Sequence, residues 1–194
     1  VRALDERLRE AAVPGILEAV PTYASLLVIY DRIRLSGAEL KDRLLGLTRN
    51  LKPSTNSGRL VEIPTLYDGE DLDDVAARCG LSKDAVIERH SAERYSALML
   101  GFSPGFAYMG FVHDSLRVPR RNTPRTRVPA GSVAIAGPQT GIYPRTLPGG
   151  WNLLGRTSVR LFDSSISAQE GPSRLMPGDR VRFVAINIDD DTAI

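Results

Sequence analysis

The chain has 194 residues, 42% of them hydrophobic and 25% charged, with a formal net charge of +2. That balance excludes a disordered or fibrous protein and leaves room for one large core or two small ones. No run approaches the roughly 20 apolar residues of a membrane span, charged residues from Arg2 to Arg9 break any leader-like stretch, and the lone cysteine, Cys79, excludes an internal disulfide, so the expectation is a cytoplasmic protein without a membrane role.

Apolar residues at Val1, Leu4, Leu8 and Ala11 predict a helix that Pro14-Gly15 ends. Ile16–Val20 and Ser25–Tyr30 read as two strands of a hairpin around Pro21-Thr22. Ser36 with Glu39 three residues on forms a capping box for a second helix that stops before Pro53. Leu60–Ile63 is then a short strand, and the order αββαβ predicts an α+β, ferredoxin-like domain over 1–66, lacking its first strand.

Asp71–Cys79 and Ser82–His90 predict two short helices, with Asp71 or Asp73 and Ser82 as caps and Gly80 as the stop. The spacing also fits a helix-turn-helix, but Asp84 and Glu88 beside Lys83 and Arg89 make a poor surface for phosphates, so packing helices are expected and no nucleic-acid partner. From Tyr95 onward, short apolar runs (97–100, 132–136, 159–162 and 181–186) alternate with Gly- and Pro-rich turns, among them Pro177-Gly178-Asp179. The second domain, 67–194, is therefore an all-β barrel behind two short helices.

Charge divides the chain in the same place. Through Ser91 there are 13 basic and 15 acidic residues; from Ala92 to Ile188 there are 12 basic, all arginine, against 5 acidic. Arginine suits two-pronged recognition of carboxylate or phosphate, so the second half is built to meet an anion or to pair its charges internally. Its loops concentrate Gly, Pro, Arg and aromatics in three segments: GFSPGFAYMG (101–110), PRRNTPRTRVPAGS (119–132), and AGPQTGIYP (136–144) continuing into PGGWNLLGRT (148–157). Rigid loops of this kind are where a barrel builds a site.

Those segments also carry a resemblance. GFSPGFAYMG, PRRNTPRTRVPAGSVAIAG, PQTGIYP and PGGWNLLGRT resemble the signature blocks of the family that contains the 5-oxoprolinase B subunit, the kinase inhibitor KipI and allophanate hydrolase subunit 1, and the likeness runs from the first hairpin to PGDRVRF. Ala107 stands where the family usually has proline, and Pro138 where it usually has a second glycine. The resemblance implies a small α+β domain before a cyclophilin-like β-barrel, and two partner chains, the C and A subunits of 5-oxoprolinase. Together these couple ATP and magnesium to opening of the 5-oxoproline lactam to give glutamate, and a chain of this family is inactive without its partners.

Such a reaction needs the lactam carbonyl activated by phosphorylation, with charge on the phosphoryl group neutralised. The sequence carries no Walker A loop and no Ser-His-Asp spacing, so no catalytic nucleophile is assigned. The candidates are binding groups: Arg120, Arg121 and Arg125 for a carboxylate or phosphate, Gln139 and Thr140 for the lactam edge, and Phe106, Tyr108, Tyr143 and Trp151 as walls. His113 and, for magnesium, Asp163 are weaker ones, and His90 reads as a capping or packing residue. Two histidines alone do not make a zinc site, so none is expected. Competing expectations are a regulator of a sensor histidine kinase, a urea-linked amidolyase component, and a prolyl isomerase suggested only by the barrel type.

Overall fold

A computed structural model describes residues 1–54, 58–167 and 170–187. The chain divides into two compact units, Val1–Ser57 and Gly58–Ile194.

The first unit holds helix α1 (Arg2–Ala11), strands β1 (Ile16–Pro21) and β2 (Leu26–Tyr30), and helix α2 (Gly37–Thr48). The strands form the expected antiparallel hairpin, with Val20 opposite Leu27 and Pro21 opposite Leu26. The predicted capping box is present at α2: the Glu39 N–H donates to Ser36 Oγ at 3.3 Å and the Ser36 N–H to Glu39 Oε2 at 2.9 Å. Ferredoxin-like organisation is not found. Leu60–Ile63, expected as the next strand of this domain, lies in strand β3 (Leu60–Thr65) and belongs to the second unit. There Val61, Ile63 and Thr65 alternate inward, and the strand runs parallel to β11 (Arg180–Ala185), pairing Leu60 with Arg180 through Thr65 with Ala185. A short apolar strand goes where its buried face finds a core, and that core is the barrel's. The boundary thus falls at residue 57 rather than 66.

After β3 the second unit contains helices α3 (Leu72–Cys79) and α4 (Lys83–Ala92), then strands β4 (Tyr95–Leu100), β5 (Ala107–Gly110), β6 (Arg125–Val128), β7 (Ser132–Ala136), β8 (Gln139–Ile142), β9 (Leu147–Gly149), β10 (Asn152–Arg156) and β11, with one 3₁₀ turn at Asp114–Leu116. Gly80 ends α3 in the left-handed conformation and Ser82 caps α4, both as expected. These helices bury Leu72, Val75, Ala76, Val86 and His90, with the four apolar side chains in the barrel's main core, which makes them packing helices rather than a recognition surface.

Seven strands form one mixed sheet in the order β10-β7-β8-β5-β4-β11-β3. Beyond β3, Leu66 meets Arg156 of β10 through two backbone hydrogen bonds of 2.9 and 2.8 Å, which nearly closes the sheet into a barrel. Glycine makes that closure possible, because a Cβ at Gly155 would stand 2.2 Å from the Leu66 carbonyl oxygen. Strand β7 is buried along its whole length: Val133 and Ile135 enter the main core, and Ala134 and Ala136 a second core around Phe106, Tyr143 and Trp151. The turn at Pro177-Gly178 forms as read, with Gly178 at φ 98° and Asp179 N–H bonded to Met176 O. The strand expected at 159–162 does not form, and Phe162 makes an isolated bridge to Ser173 instead.

Candidate functional site: an aromatic cleft under an arginine

The Gly- and Pro-rich loops converge on the second core. Phe106 sits at its centre and meets the rings of Phe102, Tyr108, Tyr143 and Trp151 edge-on, at centroid distances of 5.3, 4.9, 5.7 and 5.6 Å. Edge-to-face contacts are favoured because a ring's positive rim meets its neighbour's negative face. Local backbone permits the crowding: a Cβ on Gly149 would fall 2.1 Å from the Tyr143 hydroxyl, and one on Gly141 would press on Phe106 and Trp151.

These rings wall a cleft of about 80 Å³ completed by Arg120, Pro148, Gly149 and Gly150. The Arg120 guanidinium lies over the Trp151 ring, 5.9 Å from its centroid, within range of a cation–π attraction. Burial pushes the Tyr143 phenol up. A hydrogen bond from the Trp151 backbone and the charges of Arg120 and Arg125 pull it part of the way back, so at neutral pH it is a neutral hydroxyl. The four wall residues read from sequence, Phe106, Tyr108, Tyr143 and Trp151, are brought together, and Arg120 with them.

The other candidates stand elsewhere. Arg121 and Arg125 both bond the buried Asp71 carboxylate, at 2.5 and 2.8 Å, and Arg125 also reaches Glu70 at 3.1 Å. Their guanidinium groups are engaged by protein rather than open to an external anion. Thr140 is fully buried: its hydroxyl donates to Ala134 O and lies 2.9 Å from His90 Nε2, so it does not face a lactam edge. Gln139 begins β8 at the turn from β7, opposite Gly110, and is not among the residues lining the cleft. His113 is exposed and accepts the Ser115 N–H to start the 3₁₀ turn. Asp163 organises its own loop, held low by hydrogen bonds from Ser165 and by Arg160, and is no open magnesium ligand.

Sequence reasoning missed Phe102, Asp71 and Asn152. Phe102 holds a left-handed backbone, φ 68°, and projects a largely exposed ring at the rim of the cleft. Its signal was present, a bulky residue between Gly101 and Ser103 in a loop already singled out. Asp71, read as a helix cap, makes no side-chain cap bond. Its pKa is the resultant of opposed effects: burial raises it, while hydrogen bonds from Arg125 and the Leu153 N–H and the Arg125 and Arg121 charges outweigh burial and hold the carboxyl low. Asn152, fully buried, donates to the carbonyls of Pro119 and Ile135 at 3.0 and 3.2 Å. No local pattern marked either of these last two.

Fold and cleft together define the class, a barrel domain of the carboxyltransferase type: the family of the carboxyltransferase domain, subdomain C and D, matches residues 1–172. The chain is 45% identical to the 5-oxoprolinase B subunit of Escherichia coli O157:H7 over 178 residues, covering 89% of this chain and 79% of that one. It superposes on TTHA0988 with a TM-score of 0.85 and 48% identity, over 96% of this chain and 36% of that protein. The K. lactis urea amidolyase shares the fold alone, at a TM-score of 0.74 and 19% identity over the whole chain and 14% of the enzyme. The chain therefore belongs to the carboxyltransferase subdomain C and D family, on the branch of the 5-oxoprolinase B subunits.

Proposed function

We propose that the chain serves as the B component of a 5-oxoprolinase, a hydrolase complex, and that the aromatic cleft holds the lactam. One observation carries the reading: the Arg120 guanidinium over Trp151 at the mouth of a ring-walled cleft. 5-Oxoproline is a small flat ring bearing one carboxylate. Its faces match the aromatic walls, and its carboxylate matches a guanidinium that already lies against a ring. One water needs about 10–15 Å³ of such space, so the cleft takes roughly five to eight water-sized groups, the scale of a five-membered lactam. It falls well below the roughly 300 Å³ at which pockets for larger ligands begin, so the nucleotide is not placed here.

Opening the lactam requires its carbonyl oxygen to take the terminal phosphoryl group of ATP. Water then adds to the activated carbon and the ring C–N bond breaks, leaving glutamate, ADP and phosphate. Among the described residues, the cleft is lined by rings, glycines, a proline and one arginine, without a carboxylate or imidazole to act as base. Its part in the chemistry is therefore to orient the lactam and exclude water from its faces. ATP, magnesium and the groups that activate water belong to the assembly with the C and A components, and the chain alone is inactive. The names of its relatives support this placement.

The test is ADP release by the chain mixed with its C and A counterparts, with and without 5-oxoproline. Release that needs both the lactam and this chain is the expected result. An assembled complex with no lactam-dependent turnover overturns the reading and favours a regulatory role.

A further inference from the structure

Asp71 occupies the position before α3 where an aspartate ordinarily caps the helix, yet its carboxylate turns away from that role. The segment leading to it runs along β10: Leu66 pairs with Arg156, Gly69 N–H donates to Leu154 O, and Asp71 N–H donates to Leu153 O. At the end of this seam the side chain, about 3% exposed, accepts three hydrogen bonds, from Leu153 N–H at 2.8 Å, Arg125 Nη2 at 2.8 Å and Arg121 Nη1 at 2.5 Å.

Each donor flanks a wall of the aromatic cleft. Leu153 lies two residues beyond Trp151, and Arg121 adjoins Arg120, with its own N–H bonded to Gly150 O at 2.8 Å. Arg125 opens β6, opposite Gly149 of β9. One buried carboxylate therefore ties the three segments that carry Arg120, Trp151 and Gly149. It also separates two guanidinium groups, which would otherwise face each other with little solvent between them. Glu70, largely exposed, reaches Arg125 alone and cannot substitute.

We infer that Asp71 is the positioning residue of the cleft: its charge holds Arg121 and Arg125 so that the neighbouring Arg120 is set over Trp151 and meets the carboxylate of a small ring-shaped ligand. The ligand half of this statement rests on the function proposed above; the positioning half does not. A purely structural salt bridge makes a different prediction, and the same unit supplies a comparator. Asp179, equally buried, accepts from Arg59 Nη2 at 2.8 Å and from Met176 N–H at 3.0 Å, and holds the turn before β11.

Trp151 is the sole tryptophan, so the full-length chain reports on its own cleft. Asp71→Asn keeps the shape and an acceptor for Leu153 but removes the charge. We expect acrylamide quenching of Trp151 to rise about twofold and its emission to shift in D71N, with Asp71→Glu partly restoring both. D179N, which loses a comparable buried ion pair, leaves them unchanged. In the assembled enzyme, D71N raises the KM for 5-oxoproline about tenfold with kcat within about twofold, the pattern of lost binding rather than lost chemistry. Unaltered Trp151 emission and quenching in folded D71N, or the same change in D179N, overturns the inference. Should D71N fail to fold, Arg121→Gln carries the same expectation for Trp151. Absence of lactam turnover in the wild-type complex defeats the proposed function alone, since the ligand-free tryptophan measurement still decides the role of Asp71.

Discussion

Arg120 and Arg121 are neighbours in sequence and opposites in commitment. Arg121 spends its guanidinium on a buried carboxylate, whereas Arg120 rests on a ring face and keeps its donors toward the cleft. Arg120→Ala should therefore raise the KM of the complex for 5-oxoproline about tenfold or more, as expected for one charge-assisted contact, with little loss in the thermal stability of the chain. Steady-state kinetics beside a melting curve checks both halves. His90 shows the reverse case, a titratable group used for packing. Thr140 gives its hydroxyl proton to Ala134 O, so His90 Nε2–H donates to Thr140, and Nδ1 accepts from the Tyr67 hydroxyl at 2.7 Å. Burial pushes the ring down to about 3, against an ordinary value near 6.5. Between those limits the unfolded chain takes up a proton that the folded chain refuses, so this contribution to stability is complete above about pH 6.5 and is lost as pH falls toward 3. Urea unfolding at pH 7 and pH 4.5 should show a larger drop for the wild type than for His90→Gln.

At the scale of elements, close backbone approach decides what the sheet can do. The closure between Leu66 and β10 has no room for a side chain at Gly155. Gly155→Ala should cost roughly 1–3 kcal/mol or more, the range of overpacked cores, or leave the protein insoluble. Helix α2 is held differently, by a local cap. Ser36→Ala removes an exposed reciprocal pair and should cost only about 1 kcal/mol, with no change in Trp151 emission. Differential scanning calorimetry of the two variants separates a lost closure from a lost cap. Strand β7 explains why an uninterrupted SVAIA run was readable as a buried strand: both of its faces meet a core, so no polar alternation is needed.

For the molecule as a whole, the arginine excess of the second half divides between two uses. Arg117, Arg121, Arg125, Arg156, Arg160 and Arg182 all pair with acids of the same unit, Asp71 and Asp68 among them. Internal pairing thus accounts for much of what composition alone presented as an anion-binding surface, and Arg120 is the arginine lining the cleft. Because β3, both packing helices and both cores lie within the second unit, a fragment of residues 58–194 should fold on its own and retain the Trp151 emission of the full chain. Circular dichroism and fluorescence of the fragment test this, and a molten, quencher-accessible product contradicts it.

What the sequence determined by itself was whatever depends on neighbours a few residues apart. The capping box at Ser36 and Glu39, the stop at Gly80, the cap at Ser82 and the turn at Gly178 all follow from backbone groups satisfied within one turn of chain. The aromatic wall was legible for a related reason: Phe106, Tyr108, Tyr143 and Trp151 sit in loops whose glycines and prolines leave few conformations. Tertiary structure alone decided the rest. Strand β3 left the first domain because its parallel partner, β11, lies about 120 residues away in sequence, and a strand has no means of declaring its partner locally. Thr140 turned inward because a buried imidazole needed an acceptor. Asp71 became a hub rather than a cap because folding brings Arg121 and Arg125, 50 and 54 residues distant, to one buried carboxylate. There each unpaired charge would cost more than a helix cap contributes.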